Sequence, residues 1–283
     1  MSHFAPTRAA GLSAMRAFTP AMGHRYATRR NYDHGPGKHA SVSVLSPYIR
    51  RRLVTEQEVV AAALAAHGPQ VAKTYVEEVI WRGYFKGWLE RRPQVWDSYA
   101  HGLTTDIIAL KRDRRMRRDV DLATSGQTGI DCFDAWVQEL VDTGYLHNHA
   151  RMWFASIWIF TLGLPWRLGA DFFFRYLLDG DAAANTLGWR WVAGLHTRGK
   201  PYPARPQNIE MFTGGRFAPR HHDLAEVTQG LEATEPDGLP TIMPIRDIFA
   251  PRSGVPTALL ITDEDCHLED FDLSNLDICS VAT

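Results

Sequence analysis

The stretch between residues 126 and 191 combines carboxylates, amides and arginine with several tryptophans in an otherwise apolar helical pattern. Charged groups are seldom placed inside apolar helices unless they are paired or hold a ligand, because an unpaired buried charge is very costly. Two sets of residues lie at spacings of three or four and share a helix face: Asn148, Arg151 and Met152, and Asp181 and Asn185. The pattern predicts two helices that direct polar groups at one pocket, which suits a redox-active aromatic cofactor.

Helical periodicity accounts for most of the chain before residue 217. The first clear helix opens with Thr55 and Glu58, which have the spacing of a capping box. The predicted helical ranges are 55–67, 69–91, 93–112, 131–144, 147–163, 166–178 and 181–193. Residues 197–216 contain several prolines and glycines and are expected to form an irregular covering segment. The predicted fold class is therefore mainly α, with one helical domain over residues 1–222.

The composition changes after residue 217. Residues 223–283 are predicted to form an acidic linker, over about 234–256, followed by a tail. The tail contains one candidate β-strand, PTALLITD at 256–263, that looks like the start of an incomplete α/β unit. Since a single strand cannot satisfy its own hydrogen bonds, it must pair elsewhere, stay disordered or begin a domain missing from this chain.

Charge is distributed unevenly along the chain. The formal net charge is -1, but residues 1–222 contain 29 Lys/Arg and 19 Asp/Glu, a net charge of about +10. This field favours a polyanion such as DNA. The basic residues are densest at Arg50, Arg51 and Arg52 and in the run KRDRRMRR at 111–118. That run fits a solvated helix face as well as a phosphate-binding one.

The sequence argues against several other classes of site and location. Cys132, Cys266 and Cys279 are too few and too scattered for a disulfide framework or a zinc site, and His221 and His222 lack a third ligand at a suitable spacing. No metal is therefore expected. The amino terminus has no apolar signal-peptide core and no apolar run is long enough for a membrane span, so a cytoplasmic protein is predicted.

Several segments resemble the DNA photolyase and cryptochrome family, in the family's order and close to its spacing. They are GQTG, FDA, TGYLHNHARM, PWRLG, LDGDAAAN and GWRW within 126–191, and YATRRN at 26–31, SVLSPY at 43–48 and EVIWR at 78–82. The resemblance covers roughly residues 20–217. It implies a helical FAD-binding domain, and the family's usual N-terminal antenna domain is expected to be absent from its usual place.

The resemblance implies how a bound FAD would be held. Arg151 and Asp179 would form an ion pair over the flavin ring, Asp181 would accept a hydrogen bond from the ring edge, and Asn185 would face N5. The remaining cofactor-binding positions are Tyr26, Ser43, Leu45, Ser46, Arg82 and Asn148. Val42 stands where the family usually has Thr, which removes one hydroxyl donor. Without the resemblance, Asp-Gly-Asp is a common turn and Asp181 a favoured helix N-cap.

Substrate contacts are implied in the same way. The catalytic positions that would face a flipped pyrimidine dimer are Glu78, Trp81, Asn148, Met152 and Trp191, and indole rings can stack on unpaired bases. Arg30, Trp81 and His149 are the implied DNA-binding positions. His149 replaces the family's usual arginine, and ARPQN at 204–208 departs from the family's pattern, so the grip on DNA is expected to be weaker. A preference for single-stranded DNA follows as a hypothesis.

Electron supply to the cofactor is expected to run through tryptophan. Trp189 and Trp166 match the inner and middle members of the family's electron-transfer chain. The outer position falls near Asp113, where the sequence has no tryptophan. Trp96, Trp88 or a tyrosine is expected to replace it, or else photoreduction is slow.

The implied function is light-driven DNA repair, in which excited reduced FAD transfers an electron to a cyclobutane pyrimidine dimer. Asn185 favours this function, because photolyases carry Asn there, whereas plant cryptochromes tend to carry Asp and animal ones Cys. The alternative is a cryptochrome-like blue-light receptor that signals through a protein partner, with the acidic C-terminal tail as the contact. A third alternative is a flavin-binding fragment that is inactive because it is incomplete.

Overall fold

The computed structural model describes residues 4–232, 241–268 and 271–283. Eleven α-helices and two strands are formed in this part of the chain. The helices are α1 (Arg8–Phe18), α2 (His24–Arg29), α3 (Ser46–Arg50), α4 (Glu56–Glu90), α5 (Pro93–Arg112), α6 (Arg114–Ser125), α7 (Asp131–Thr143), α8 (Asn148–Ser156), α9 (Trp166–Tyr176), α10 (Ala182–Val192) and α11 (Pro206–Phe212). The prediction of a mainly α fold is confirmed. No helix of these residues is long and apolar enough to cross a membrane.

The longest helix, α4, consists of two helical pieces with a break between them. Gly68 has φ 71° and ψ 165°, a conformation outside the helical region that glycine adopts without a Cβ penalty. Pro69 follows and cannot donate the backbone hydrogen bond that a continuous helix needs. The two predicted helices, 55–67 and 69–91, therefore have the correct boundary.

The predicted capping box at the start of α4 is formed and is reinforced by an arginine from α1. The Thr55 side chain accepts a hydrogen bond from the Glu58 backbone, and the Glu58 carboxylate accepts one from the Thr55 backbone. Arg8 binds the same carboxylate with both terminal nitrogens, at 2.6 and 3.1 Å. Hydrogen bonds from Arg8 lower the pKa of Glu58 to about 2, against a smaller opposing effect of burial.

Glu58→Gln is expected to reduce the free energy of unfolding by about 1 kcal/mol near neutral pH, since the pair is partly solvated. Because the folded-state pKa lies below the ordinary value of 4.5, the stabilisation is present above that value and is lost as pH falls towards 2. Denaturant unfolding of both proteins at several pH values measures this. A difference that stays constant from pH 6 to the acid limit of folding would contradict the assignment.

The core lies among α7, α8, α9 and α10. Trp136, Trp153, Trp158 and Phe154 are completely buried there, and Trp136 stacks on Trp153 with ring centroids 5.5 Å apart. The α8 helix continues into a π-helical turn, Ile157–Thr161, before the chain reverses and α9 begins after Pro165. This packing fixes α8 and α10, the two helices that the sequence predicts to share a pocket.

Five helices were not among the predicted ranges: α1, α2, α3, α6 and α11. Three of them have seven residues or fewer, too short for apolar periodicity to be recognised. The α6 helix is dominated by charged residues and has only Val120 and Ala123 buried. The α11 helix begins at Pro206 inside the segment that we expected to be irregular, and proline is well suited to the first turn of a helix.

The C-terminal tail contains two strands, where the sequence led us to expect one. The strand β1 (Pro256–Leu260) pairs in parallel with β2 (Asp277–Ala282), and a bulge lies between Thr257 and Ala258. Of the three alternatives left open for the candidate strand, pairing with another segment is therefore the one that the structure shows. Residues 233–240 of the predicted linker and residues 269–270 of the tail lie outside the described part. The domain boundary at residues 222 and 223 stays a prediction.

Candidate functional site

A bidentate ion pair joins α8 to the loop before α10. The two terminal nitrogens of Arg151 lie 3.4 and 3.0 Å from the two carboxylate oxygens of Asp179. The Nε of Arg151 donates to the carbonyl of Leu146 at 2.8 Å, which fixes the plane of the guanidinium. The ion pair that the family resemblance implied is therefore formed, while its position over a flavin ring stays a prediction.

Asp179 is buried, yet its surroundings favour the ionised carboxylate. Burial acts to raise its pKa, but the charge and hydrogen bonds of Arg151 lower it, with smaller contributions from Arg82 and the Ser46 hydroxyl. The balance leaves the pKa of Asp179 below its ordinary value. The ion pair thus persists at neutral pH, and a fixed charge pair is available to orient a bound ring.

A second ion pair lies at the N-terminus of α10. Asp181 is the N-cap of this helix, and its carboxylate accepts a hydrogen bond from the Ala184 backbone at 2.9 Å. Its other oxygen lies 3.2 Å from Nη2 of Arg82 on α4. Asp181 is thus the helix N-cap that its residue type favours and also a partner of Arg82, while its hydrogen bond to the edge of a flavin ring stays a prediction.

Asn185 lies one turn further along α10. Its side-chain nitrogen donates to the carbonyl of Ala170 on α9 at 2.8 Å. This hydrogen bond fixes the orientation of the amide. The contact of Asn185 with N5 of a flavin stays a prediction.

The predicted phosphate-binding loop lies against this cluster. Leu45 is buried and immediately precedes α3, and the hydroxyl of Ser46 contacts Asp179. Val44 has φ 52°, which is rare for a β-branched residue and is the kind of strain that clusters at functional loops. Tyr26 is buried nearby, with its ring 4.8 Å from that of Tyr75 in an edge-on contact. The part played by Ser43 in cofactor binding stays a prediction.

The donors of the site fit an FAD molecule, which carries a pyrophosphate and a ring edge with several acceptors. The Nε of Arg82 and the indole nitrogen of Trp189 are buried without a hydrogen-bond partner among the described residues. An unsatisfied buried donor costs about 1–3 kcal/mol, so a ligand that accepts from these groups is stabilising. A cavity of about 280 Å³ adjoins Asp181 and Ala182 at the N-terminus of α10.

The predicted substrate residues lie partly at the surface. Trp81 and Trp191 are 51% and 36% exposed, Asn148 is exposed, and Met152 is half-buried. Sequence reasoning missed Tyr84, which is 47% exposed and packs edge-on against Trp81 with centroids 5.1 Å apart. The spacing of three residues on a helix was a usable signal for this pair. The result is an exposed aromatic surface on α4.

Two of the predicted DNA-binding residues are engaged inside the protein. His149 is buried, its ring nitrogens lie 3.0 Å from the carbonyl of Asn31 and 3.0 Å from the hydroxyl of Tyr202, and its ring stacks on Trp153. Its predicted contact with DNA is therefore wrong for this conformation. Arg30 forms an ion pair with Glu78, so it orients a predicted substrate residue rather than standing free.

The predicted electron-transfer residues are both buried. Trp189 packs edge-on against Trp158, with centroids 6.3 Å apart. Trp166 lies 5.7 Å from Tyr99, and Tyr99 lies 5.3 Å from the partly buried Trp96. Two of the expected substitutes for the outer member are therefore in ring contact. Tyr99 contacts Trp166, and Trp96 contacts Tyr99.

The basic residues after α3 are paired with the tail. We call Arg50, Arg51, Arg52 and Lys86 the arginine surface, and residues 262–266 the acidic loop. The ion pairs are Arg50 with Glu264 at 2.5 Å, Arg51 with Asp263, Arg52 with Asp265 at 3.1 Å, and Lys86 with Glu264 at 3.7 Å. The backbone N–H of Cys266 also donates to the carbonyl of Arg51 at 2.9 Å. The densest basic part of the sequence thus contacts the acidic tail.

One group of residues has the spacing of a metal site, which the sequence did not lead us to expect. Ligand atoms of Asp33, His39 and Glu139 lie within 4.8 Å of one another. Asp33 already binds Arg216 at 2.7 Å and the indole nitrogen of Trp136, and His39 binds Glu139 at 2.9 Å. The carboxylates of Asp33 and Glu139 thus already have hydrogen-bond partners, while the Nδ1 of His39 has none among the described residues.

Comparison with known proteins adds sequence similarity to this geometry. A family model described as the FAD binding domain of DNA photolyase matches residues 75–216. A deoxyribodipyrimidine photo-lyase of Thermus thermophilus is 33% identical over 205 residues, which are 70% of this chain and 45% of the relative. One of Alkalihalophilus pseudofirmus is 30% identical over 195 residues, 68% and 38% of the two chains. The chain thus spans less than half the length of these curated relatives.

Two solved structures have a similar fold. A class III photolyase from Agrobacterium tumefaciens superposes with a TM-score of 0.59 and a cryptochrome from Synechocystis with a TM-score of 0.61. Each is 24% identical and covers 75% of this chain, which in turn covers 44% of each of them. At this identity the two structures bear on the helical architecture alone.

Proposed function

Because this chain belongs to the DNA photolyase family through its FAD-binding domain, so that its cofactor is FAD, we propose that it repairs cyclobutane pyrimidine dimers in DNA with light. One observation carries the proposal. Each of two neighbouring elements provides a charged residue of the cofactor cluster and an exposed tryptophan. On α4 these are the half-buried Arg82 and Trp81, and on α10 and its cap the buried Asp181 and Trp191. A cofactor held by the charged residues would lie beneath a surface suited to unstacked bases.

Bound FAD supplies the light-driven electron, and the residues of this chain supply binding and orientation. Arg151 and Asp179 provide a fixed charge pair beside the ring, and Arg82 has an Nε donor available for an acceptor on the cofactor. Trp81 and Trp191 provide stacking surfaces, each worth about 1–3 kcal/mol per base in comparable sites. Glu78, held by Arg30, would hydrogen-bond a base edge.

Tyr99 and Trp96 are the residues that we propose continue the electron path outward from Trp166. The ring contacts of 5.7 and 5.3 Å support this order. Tyr99 is buried, and burial raises the pKa of its hydroxyl, so it keeps its proton until it is oxidised. The path then ends at Trp96, which is partly exposed to solvent.

Repair is tested by irradiating the photoreduced, FAD-loaded protein with a dimer-containing oligonucleotide and following the recovery of thymine absorbance. We expect recovery that depends on both light and bound FAD. Absence of recovery in a protein with a full complement of FAD would contradict the repair function and favour the photoreceptor. A colourless protein that does not take up FAD would contradict the cofactor site itself.

A preference for single-stranded DNA is part of the proposal, because an already unstacked dimer costs less to extract from its strand. Its support lies in the positions that depart from the family's pattern. His149 is buried, and the Asn208 side chain accepts a hydrogen bond from the Trp153 indole at 2.9 Å. Neither side chain is then free to hold a duplex. Equal repair rates for the same dimer in single- and double-stranded oligonucleotides would contradict this preference.

A further inference from the structure

The contact between the acidic loop and the arginine surface joins four cations to three carboxylates. Each of the three consecutive arginines has its own carboxylate from the loop, and Lys86 shares Glu264 with Arg50. The backbone hydrogen bond from Cys266 to Arg51 fixes the alignment of the two segments. Three carboxylates on consecutive residues thus present an array of negative charge comparable to successive phosphates of a nucleic-acid strand.

The arginine surface has features of a built binding surface. Arg52 has φ 54°, a left-handed conformation that is uncommon for a residue other than glycine and costs about 1–2 kcal/mol. The Arg50 side chain is only 4% exposed, and its Nη1 has no hydrogen-bond partner among the described residues. A buried guanidinium requires an anion beside it, since an uncompensated buried charge is strongly destabilising. Within the described chain, Glu264 and Asp263 of the loop supply that anion.

The loop can be exchanged for another anion but not simply lost. The Arg51–Asp263 and Arg52–Asp265 pairs are partly solvated, and such pairs contribute only about 0–1 kcal/mol each and are screened by salt. The pair of Glu264 with the buried Arg50 is stronger, so a competitor must itself supply an anion to Arg50. A polyanion that offers more charges than the loop can therefore compete for the same cations. The rest of residues 1–222, without these four cations, carries a net charge of about +6 and adds to the attraction for such a competitor.

We propose that the acidic loop is a phosphate mimic that occupies the arginine surface, and that this surface binds the backbone of single-stranded nucleic acid once the loop leaves. Lys86 lies five residues after Trp81 on α4, about 7.5 Å along the helix axis and about 140° around it. The arginine surface and the exposed Trp81 therefore lie on different faces of one helix. The inference uses the proposed DNA partner but does not depend on the repair reaction.

The test is binding of the full, FAD-loaded chain to an undamaged oligothymidylate, followed by fluorescence anisotropy over a series of salt concentrations. The variant Asp263→Asn, Glu264→Gln, Asp265→Asn removes the charges of the loop. We expect this variant to bind the oligonucleotide more tightly than the wild type at low salt. The slope of log K against log salt is expected to be steeper by about 2, because each newly neutralised phosphate of a single strand adds about 0.7 to the slope. Undamaged DNA keeps this result separate from any failure of repair.

The matched control changes three exposed carboxylates elsewhere in the same acidic region, Glu226→Gln, Glu232→Gln and Asp247→Asn. It alters the net charge of the chain equally and leaves the arginine surface covered. If both variants change the slope by the same amount, the effect belongs to net charge and the proposal is overturned. An unchanged slope in the loop variant overturns it as well.

Two further measurements identify the surface and the loop. Adding Arg51→Ser and Arg52→Ser to the loop variant is expected to return the slope to near the wild-type value, and persistence of the steep slope overturns the assignment of these arginines.

Hydrogen exchange at the Cys266 amide reports loop docking, because this N–H is bonded to Arg51. We expect protection that is lost in the loop variant and on addition of oligothymidylate. Protection that persists in saturating oligothymidylate overturns the exchange of loop for DNA.

Discussion

Arg151→Ala is expected to lower the free energy of unfolding by about 3 kcal/mol, because it leaves the buried carboxylate of Asp179 without its partner. The ion pair is bidentate, and the Asp179 side chain is only 5% exposed. FAD affinity is expected to fall as well, since the guanidinium can no longer orient the ring. Urea denaturation of the FAD-free proteins measures the first effect, and flavin fluorescence on titration measures the second.

Arg175→Ala is the matched control for this prediction. Arg175 pairs with Asp171 one turn away on α9 at 2.7 Å, but its side chain is 65% exposed. Its removal is expected to cost well under 1 kcal/mol. The double change Arg151→Ala, Asp179→Ala is expected to cost less than the sum of its single changes, since neither charge is then left alone. A cost for Arg151→Ala no larger than that for Arg175→Ala would show that the pair is not the anchor of the site.

The second large effect is expected from Glu78→Ala combined with Trp81→Ala. Loss of the stacking indole costs about 1–3 kcal/mol per base, so affinity for a dimer-containing oligonucleotide is expected to fall by roughly ten- to a hundredfold. Loss of Glu78 adds a missing contact to the base edge and releases Arg30. Repair under limiting substrate is expected to become undetectable, while the flavin absorbance of the purified protein is unchanged.

Phe174→Ala is the control for the loss of an exposed ring. Phe174 lies on α9 and is 40% exposed, comparable to Trp81, but it belongs to none of the predicted substrate positions. Its replacement is expected to leave dimer affinity unchanged. If the double variant keeps repair activity, or loses its flavin, the substrate surface lies elsewhere or the two residues serve the cofactor.

Local patterns in the sequence were sufficient for α4, α5, α7, α8, α9 and α10, but not for the other five helices or for the pairing within the charged cluster. The capping box at Thr55, the break at Gly68 and the polar positions of α8 and α10 depend on residues close together in the chain. The Arg151–Asp179 pair is separated by 28 residues, and it was inferred from the family resemblance rather than from spacing. Its confirmation therefore supports the resemblance more than it supports periodicity.

Other features depend on packing between distant segments, which a single sequence does not encode in any local pattern. His149 is buried because Asn31, Trp153 and Tyr202 converge on its ring. The arginine surface meets a loop more than 200 residues further along the chain. The charge of the arginines favoured contact with DNA, and the family resemblance gave His149 a DNA-binding position. The tertiary contacts within the chain were what the sequence left out.

The second piece of α4 carries Glu78, Trp81, Arg82 and Lys86. One continuous helix therefore positions residues of the base surface, the cofactor cluster and the tail contact. Inserting or deleting one residue between Pro69 and Glu78 would rotate all four by about 100° at once. Insertions and deletions in homologous chains should accordingly be absent from that stretch and tolerated at Gly68, where the helix is already interrupted.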